Sequence, residues 1–348
     1  MMHDAPRLMA LATAVPPIEI PQAEIKARAD AFFNTKGVVM RHMLPVFDNA
    51  GVERRFFCVS LDWLVESHGW AERNRLYAAH AVDLLEEISR ELLDRARLRI
   101  DEIDAIVVAS STGVVTPSLD ALLMERLGTR RDITRLPIFG LGCAGGVIGL
   151  SRAAALAKTM PGACVLFLVV ELGALTFRPG DHSQGNVVAT AIFGDGAAGA
   201  ILSTKADGPA LGAGGEHTWT QSLDVMGWSV EDDSLGVIFS REIPTLVRER
   251  FRAALDQFLS RHGLPFDSIE SFVCHPGGAK VVAALEEAFE MQTGTLRDCR
   301  EVLREYGNMS AATVMFVLDR VLKSGTRGRR LMSALGPGFT AAFQILEG

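Results

Sequence analysis

An internal duplication constrains the fold of this chain more than any other feature. The segment "LRIDEIDAIVVA" at residues 98–109 aligns without a gap with "LPFDSIESFVCH" at residues 264–275. In both segments an aspartate, an isoleucine and an acidic residue coincide ahead of an apolar run. A short continuous apolar run of this kind is typical of a buried parallel strand. Each copy therefore carries the same predicted strand.

Two further segments repeat in the same order. "GCAGGVIGLSRAAALA" from Gly142 matches "GNMSAATVMFVLDRVL" from Gly307, and "FGDGAAGAIL" at 193–202 matches "LGPGFTAAFQ" at 335–344. Three paired segments in one order predict two copies of a single α/β unit, near residues 1–205 and 206–348. Helices as apolar as the one predicted from Cys143 must be covered on all sides, so we expect two sheets of parallel type with a helical layer between them.

Charge and cysteine usage exclude several classes of protein. The net charge of −7, with lysine and arginine scattered along 348 residues, gives no basic face, so we predict no nucleic-acid partner. Five cysteines without a CxxC pair predict a reducing compartment, no disulfide framework and no zinc site. The most apolar run, "ACVLFLVVELGAL", is shorter than the ~18–20 residues of a membrane span. We expect a cytoplasmic protein without a membrane span.

Three chemically capable residues coincide with the duplication. Cys143 aligns with Asn308, each at the start of a predicted helix, and His275 ends a repeated strand where the first copy has Ala109. A helix N-terminus is expected to lower the pKa of a thiol from ~8.5 towards neutrality, which makes Cys143 a candidate nucleophile. The neighbouring glycines, 142, 145 and 146, are expected to leave room for a substrate.

His275 and Asn308 are candidate hydrogen-bond donors to a developing oxyanion or enolate. Each of the three residues also has a structural interpretation: a buried cysteine is common in cores, a histidine at a strand end is often structural, and an asparagine at a helix start is usually an N-cap. Their joint placement in the duplication favours catalysis.

These three residues belong to a larger set of motifs. The set is "GCAGG" at 142–146, "TFR" at 176–178, "FGDGAA" at 193–198, "HPGG" at 275–278, "GNMSAA" at 307–312 and "GPGFT" at 336–340. Together these motifs resemble those of type III polyketide synthases, the chalcone synthase-like branch of the thiolase superfamily. The resemblance implies a five-layered αβαβα thiolase-like fold of two similar halves, a homodimer, and catalysis by Cys143, His275 and Asn308.

The resemblance also implies roles around the catalytic centre. Phe193 matches an aromatic gatekeeper between the CoA tunnel and the reaction cavity. Val237 falls where the family has a second gatekeeper phenylalanine, with Phe239 two residues on, which indicates a wider passage or a shifted register. The positions that line the family's cavity are occupied by Ser111, Thr112 and Thr176.

The match is poorer at the CoA site. Basic residues that bind CoA phosphates in plant relatives fall on His42, Pro45 and Asn49. The CoA contacts expected here are Arg41, Gly278 and Ser310.

The implied reaction is the iterative decarboxylative condensation of malonyl-CoA onto an acyl-CoA starter held on Cys143, without a metal or separate cofactor. The small side chains of Ser111, Thr112, Thr176 and Val237 would leave space for an aliphatic tail. They therefore favour a medium or long fatty acyl starter and an alkylpyrone or alkylresorcinol product. A malonyl-only starter that gives a naphthalene, or an aromatic starter, stays open. The alternatives are a single-condensation ketoacyl synthase III-like enzyme that uses an acyl carrier protein, and a non-catalytic binding protein of the same fold.

Overall fold

A computed structural model describes residues 5–35 and 43–348, and β-strands run through both halves of the chain. The strands of the described residues are β1 Arg7–Ala14, β2 Ile18–Pro21, β3 Arg54–Phe57, β4 Ile103–Ala109, β5 Thr134–Ile138, β6 Cys164–Leu172, β7 Asp195–Ser203, β8 Ala210–Thr218, β9 Met226–Val230, β10 Leu235–Phe239, β11 Ser271–Cys274, β12 Arg329–Gly336 and β13 Thr340–Glu347.

Helices alternate with these strands, as the sequence predicts. A π-helical turn, Val247–Phe251, joins α8 to α9. The helices are α1 Gln22–Thr35, α2 Pro45–Asn49, α3 Leu61–Val65, α4 Trp70–Ala96, α5 Leu119–Leu127, α6 Gly145–Thr159, α7 Gln184–Ile192, α8 Ile243–Leu246, α9 Arg252–Arg261, α10 Ala279–Ala288, α11 Arg297–Tyr306 and α12 Thr313–Lys323.

The strand order reproduces the duplication. The principal sheet runs β11-β12-β13-β8-β1-β7-β6-β4-β5, and its two portions meet at one pairing, Arg7 with Ala210 in β1 and β8. Reading outward from this junction, β1-β7-β6-β4 corresponds to β8-β13-β12-β11. Each portion is mixed and not wholly parallel as expected, because β7 runs antiparallel to both β6 and β1, and β13 runs antiparallel to both β12 and β8.

The elements form the expected five layers. Helices α6 and α12 pack against both portions of the sheet, α4 covers the outer face of the first portion, and α9 packs on β8 and β13. Along β4 the side chains alternate, so that Val107 faces the core around α6 and Ile106 faces the core under α4. The apolar helices α6 and α12 are therefore central, since they are covered by sheet on two sides.

No helix among the described residues is long and apolar enough to cross a membrane. All five cysteines, which lie in the described part of the chain, are free thiols.

Candidate active site

Cys143 lies at the centre of the molecule, where the first half enters the middle helical layer. It occupies a 3₁₀ turn, Gly142–Ala144, that leads directly into α6. Gly142 has a φ of +48°, and a Cβ there would lie 2.7 Å from Cδ of Pro337. Its backbone N–H donates to Oγ of Ser111 at 3.1 Å. Glycine is needed at 142 because the turn is left-handed and has no space for a side chain.

The other two glycines of this turn serve helix packing. A Cβ on Gly146 would lie 2.2 Å from the carbonyl oxygen of Ala311, and a Cβ on Gly145 would lie 3.1 Å from Cβ of the same residue. Ala311 belongs to the 3₁₀ turn Ser310–Ala312 that precedes α12. The expectation that these glycines clear space for a substrate is wrong, because the space above them is filled by the second half of the chain.

His275 follows β11 immediately, as the repeated strand predicts. Its backbone N–H donates to the carbonyl of Ser333 at 2.8 Å, which fixes the residue to the end of β12. The side chain is 4% exposed, and neither ring nitrogen has a hydrogen-bond partner among the described residues. Burial lowers the pKa of His275 to about 3, so the imidazole is neutral at physiological pH and can both donate and accept.

Asn308 is held by the chain on both sides. Its backbone N–H donates to the carbonyl of Ile192 at 2.7 Å, and its backbone carbonyl accepts from the N–H of Gly194 at 3.0 Å. These two hydrogen bonds form a β-bridge between Asn308 and Phe193. The side-chain Oδ1 accepts from the N–H of Ser310 at 2.8 Å, while Nδ2 donates to the carbonyl of Gly277 at 3.2 Å. These contacts orient the amide, which also hydrogen-bonds with the thiol of Cys143.

One cavity brings the three residues together. It measures about 560 Å³, and its wall includes Cys143, His275 and Asn308. Gly278, predicted as a CoA contact, also lines it. The placement expected from the duplication therefore holds: side chains from both halves of the chain converge on one space.

The protonation state of Cys143 differs from the expectation. Burial raises the pKa of the thiol to about 12, and Glu171 acts in the same direction, while hydrogen bonding with Ser310 and Asn308 lowers it in part. The helix start that was expected to stabilise a thiolate is itself buried, and desolvation of the thiolate outweighs the helix dipole. The thiol is protonated at neutral pH, so attack on a thioester requires removal of this proton as the bond forms.

Phe193 packs against two other aromatic side chains. Its ring lies 5.6 Å from the ring of Phe239, which lines the main cavity, and 6.0 Å from that of Trp228. Phe193, Thr176 and Val237 line a second cavity of about 50 Å³. Phe239 therefore lies beside Phe193 on the side of the main cavity, while Val237, two residues before it, faces the smaller cavity with Phe193.

Ser111, Thr112 and Ser310 lie outside the lining of both cavities. Oε2 of Glu171 accepts two hydrogen bonds, from the backbone N–H of Ser111 at 3.0 Å and from the hydroxyl of Thr112 at 2.8 Å. The structure thus places the two predicted cavity residues in a buried hydrogen-bond network, and Ser310, predicted to contact CoA, beside the thiol of Cys143. Arg41, the remaining predicted CoA contact, lies outside the described residues, as does His42.

Glu171 and Arg55 are buried ionisable residues whose roles the sequence reasoning missed. Burial raises the pKa of Glu171 to about 7, and its signal in the sequence was a lone acid inside an apolar run. Arg55 is wholly buried and donates to the carbonyl oxygens of Thr190 and Phe193, both at 2.7 Å. No sequence pattern pointed to Arg55, because its partners are two backbone carbonyls 135 and 138 residues away and Oε1 of Gln22, 33 residues away.

The arrangement suits acyl transfer and enolate chemistry. A thiol, a neutral imidazole with two unpartnered nitrogens and an oriented amide share one desolvated space. Donors in such a space stabilise a developing negative charge far better than they would in water. The described residues contain no group of three histidine, cysteine, aspartate or glutamate side chains that could hold a metal ion.

Comparison with known proteins agrees with this geometry. Residues 3–206 match the family model of the N-terminal domain of chalcone and stilbene synthases, and residues 219–346 match that of the C-terminal domain. The chain is 35% identical to a putative chalcone synthase of Bacillus subtilis, over 98% of each protein. It is also 35% identical to a 1,3,6,8-tetrahydroxynaphthalene synthase of Streptomyces peucetius, over 97% of this chain and 92% of that protein.

The fold is also shared. The crystal structure of 1,3,6,8-tetrahydroxynaphthalene synthase from Streptomyces coelicolor, a bacterial type III polyketide synthase, superposes with a TM-score of 0.92 at 26% identity and covers 98% of both chains. The predicted thiolase-like fold is therefore confirmed. With both family domains matched across most of its length, the chain belongs to the chalcone and stilbene synthase family and is a type III polyketide synthase.

Proposed function

We propose that the enzyme condenses malonyl-CoA units iteratively onto an acyl-CoA starter through an acyl-Cys143 intermediate. The convergence of Cys143, His275 and Asn308 on one cavity carries this proposal. The Sγ–acyl bond forms as the bond from the acyl carbon to the CoA sulfur breaks. His275, neutral beside a protonated thiol, transfers the thiol proton to the departing CoA.

The chain-extending step uses the same residues as donors. Loss of CO₂ from malonyl-CoA leaves an electron pair on the remaining thioester as an enolate. Nε2–H of His275 and Nδ2–H of Asn308 stabilise its oxygen. The enolate carbon then attacks the acyl carbon and expels the Cys143 thiolate, which takes up a proton or accepts the lengthened chain again. These steps use CoA thioesters as substrates and no separate cofactor.

For the starter we propose a medium or long fatty acyl group, which leads to an alkylpyrone or alkylresorcinol. The walls of the two cavities support this choice, because they are largely apolar and Val237, a small residue, faces the smaller one. An aliphatic chain gains about 0.8 kcal/mol of binding free energy for each methylene that it buries, so a cavity with an apolar wall favours a longer starter.

Incubation with malonyl-CoA and acyl-CoAs of graded length, with products identified by mass, tests the starter. We expect kcat/KM to rise with chain length from acetyl to a medium-chain starter. Val237→Phe fills the smaller cavity and should shift the preference towards short starters, whereas Val230→Phe, on an exposed position of β9, should leave it unchanged. A flat dependence on length in the wild type contradicts a fatty acyl starter.

A second candidate reaction is the condensation of malonyl units alone to a tetrahydroxynaphthalene. The 35% identity to a synthase of that name favours it. In the same assay this candidate predicts a naphthalene from malonyl-CoA alone, with no incorporation of added acyl groups. Activity with acyl carrier protein thioesters and only one condensation would instead indicate a ketoacyl synthase III-like enzyme.

We also propose that the enzyme is a homodimer. Strand β5 is an edge of the principal sheet, and Phe139 next to it is 59% exposed. An uncovered edge strand with an exposed aromatic neighbour is a site for pairing with another chain. Light scattering after size-exclusion chromatography should give twice the chain mass of 37.6 kDa. Phe139→Glu should shift the protein to the monomer, and a monomeric wild type contradicts the proposal.

A further inference from the structure

The last turn of α7 ends in the interior of the protein, where its carbonyl groups need donors. The final carbonyls of an α-helix have no partner within the helix. Arg55 supplies two of the missing hydrogen bonds, since its Nη1 donates to the carbonyls of Thr190 and Phe193, both at 2.7 Å. Nε2 of Gln22 supplies a third, to the carbonyl of Ala191 at 2.9 Å. Two side chains from outside the helix therefore cap its end.

The same helix end is joined to Asn308. Its remaining carbonyl, that of Ile192, accepts from the backbone N–H of Asn308, and the β-bridge between Phe193 and Asn308 lies directly beside this contact. The carbonyl groups that Arg55 holds therefore belong to the segment on which the backbone of Asn308 rests.

The aliphatic stem of Arg55 reaches the bridge by a second route. A Cβ on Gly307 would lie 2.8 Å from both Cγ and Cδ of Arg55, and a Cβ on Gly194 would lie 3.6 Å from its Cβ. Gly194 follows Phe193, and Gly307 precedes Asn308. The stem therefore packs against both segments of the bridge, one from each half of the chain, where glycine leaves the space for it.

Further contacts fix the guanidinium itself. Nη2 donates to Oε1 of Gln22 at 2.7 Å, and Cζ lies 5.4 Å from the centre of the Phe57 ring. Burial lowers the pKa of Arg55 to about 9, and the charge of Asp195 opposes this change, so the side chain is a cation at neutral pH. A cation at the C-terminal end of a helix is stabilised by the helix dipole.

We propose that Arg55 is a positioning residue that fixes the amide of Asn308 in the main cavity, an inference that rests on the proposed role of Asn308 in decarboxylation. Arg55 lines the smaller cavity, and its effect reaches the main one through the end of α7 and the bridge from Phe193 to Asn308. A displacement of about 1 Å at a reacting centre costs about 10²-fold in rate. Loss of the cap should therefore slow decarboxylation without weakening substrate binding.

The kinetics of CO₂ release from malonyl-CoA test this assignment. Arg55→Met keeps an unbranched stem against Gly194 and Gly307 but has no donors, and it should lower kcat about tenfold while KM stays within twofold. Arg55→Lys, which keeps the charge and one donor group, should give an intermediate kcat. In Arg55→Ala, methylguanidinium at concentrations that do not unfold the protein should restore part of kcat, because the smaller cavity gives it access to the same carbonyls.

Arg330→Met is the matched control. Arg330 is also buried and also donates to backbone carbonyls, those of Gly328 at 3.3 Å and Gly348 at 2.7 Å, but it lies near the start of β12. This variant should lose stability while kcat and KM stay within twofold of the wild type. Gln22→Met removes a smaller part of the cap and should lower kcat about threefold, which keeps the test valid if Arg55→Met does not fold.

Combination with Asn308→Ala separates a positioning role from a general loss of activity. If Arg55 acts through Asn308, the double variant should release CO₂ no more than twofold more slowly than Asn308→Ala alone. Multiplied losses in the double variant, an unchanged kcat in Arg55→Met, or an equal fall in Arg330→Met would overturn the inference even if condensation is demonstrated. A wild-type rate in Asn308→Ala would instead overturn the proposed role of Asn308, and the positioning role with it.

Discussion

Gly146 provides the sharpest test of how the two halves of the chain are joined. A Cβ at this position would lie 2.2 Å from the carbonyl oxygen of Ala311 and 2.7 Å from Cγ1 of Val314. The first of these atoms belongs to the backbone and cannot rotate away. Gly146→Ala must therefore push α12 away from α6, in the layer that both portions of the sheet cover.

Two effects of this substitution oppose each other. Alanine is favoured over glycine inside a helix by about 1 kcal/mol. Overpacking of a tight contact costs about 1–3 kcal/mol, and a backbone obstacle places Gly146→Ala at the upper end. We expect a net loss of about 2 kcal/mol in the free energy of unfolding, which corresponds to a fall of about 3 °C in Tm for a chain of this length.

Thermal unfolding followed by circular dichroism measures this difference. Gly180→Ala is the control, because a Cβ there meets nothing within 4 Å, and its Tm should stay within 1 °C of the wild type, about the size expected for a glycine substitution without strain. A variant Gly146→Ala as stable as the wild type, but with impaired activity, would refute the packing role. It would restore the view that this glycine clears space for substrate.

Two further predictions concern the donors to the enolate. Burial lowers the pKa of His275 to about 3, against ~6.5 in the unfolded chain, so the unfolded state is protonated first and the free energy of unfolding falls as the pH drops below 6.5. Between pH 6.5 and 5.5 the wild type should lose about 1 kcal/mol more of this free energy than His275→Gln, as measured by urea titration. Equal losses in the two proteins would contradict a buried neutral imidazole. Asn308→Ala should reduce the rate of CO₂ release from malonyl-CoA about 10²–10³-fold in a folded protein, and a rate within fivefold of the wild type would remove Asn308 from the enolate site.

The layered fold could be predicted from the sequence because the paired segments occur in the same order in both halves of the chain. The strand that ends at Ala109 and the strand before His275 were found from apolar runs, and the helices after Cys143 and Asn308 from their small residues. The antiparallel pairing of β7 was not predicted, since strand direction depends on how the chain crosses between strands and not on the strand's own composition.

The catalytic constellation was predictable for the same reason, whereas the residues around it were not. Ser111 and Thr112 have small polar side chains that suit a cavity, yet both residues donate hydrogen bonds to the carboxylate of Glu171, which lies 60 and 59 residues away in sequence. The sequence also did not show that the ring of Phe193 contacts Phe239 while Val237 faces the smaller cavity, because the position of β10 is set by its pairing with β9. Such contacts depend on tertiary packing that a single sequence does not display.

The central claim is that Cys143 carries the growing chain while His275 and Asn308 support decarboxylation. Cys143→Ala, incubated with malonyl-CoA and a fatty acyl-CoA, tests it in one reaction mixture from which CO₂ and products are both measured. The account predicts that polyketide disappears while CO₂ release from malonyl-CoA continues. Polyketide formed by this variant at the rate of the wild type would contradict it.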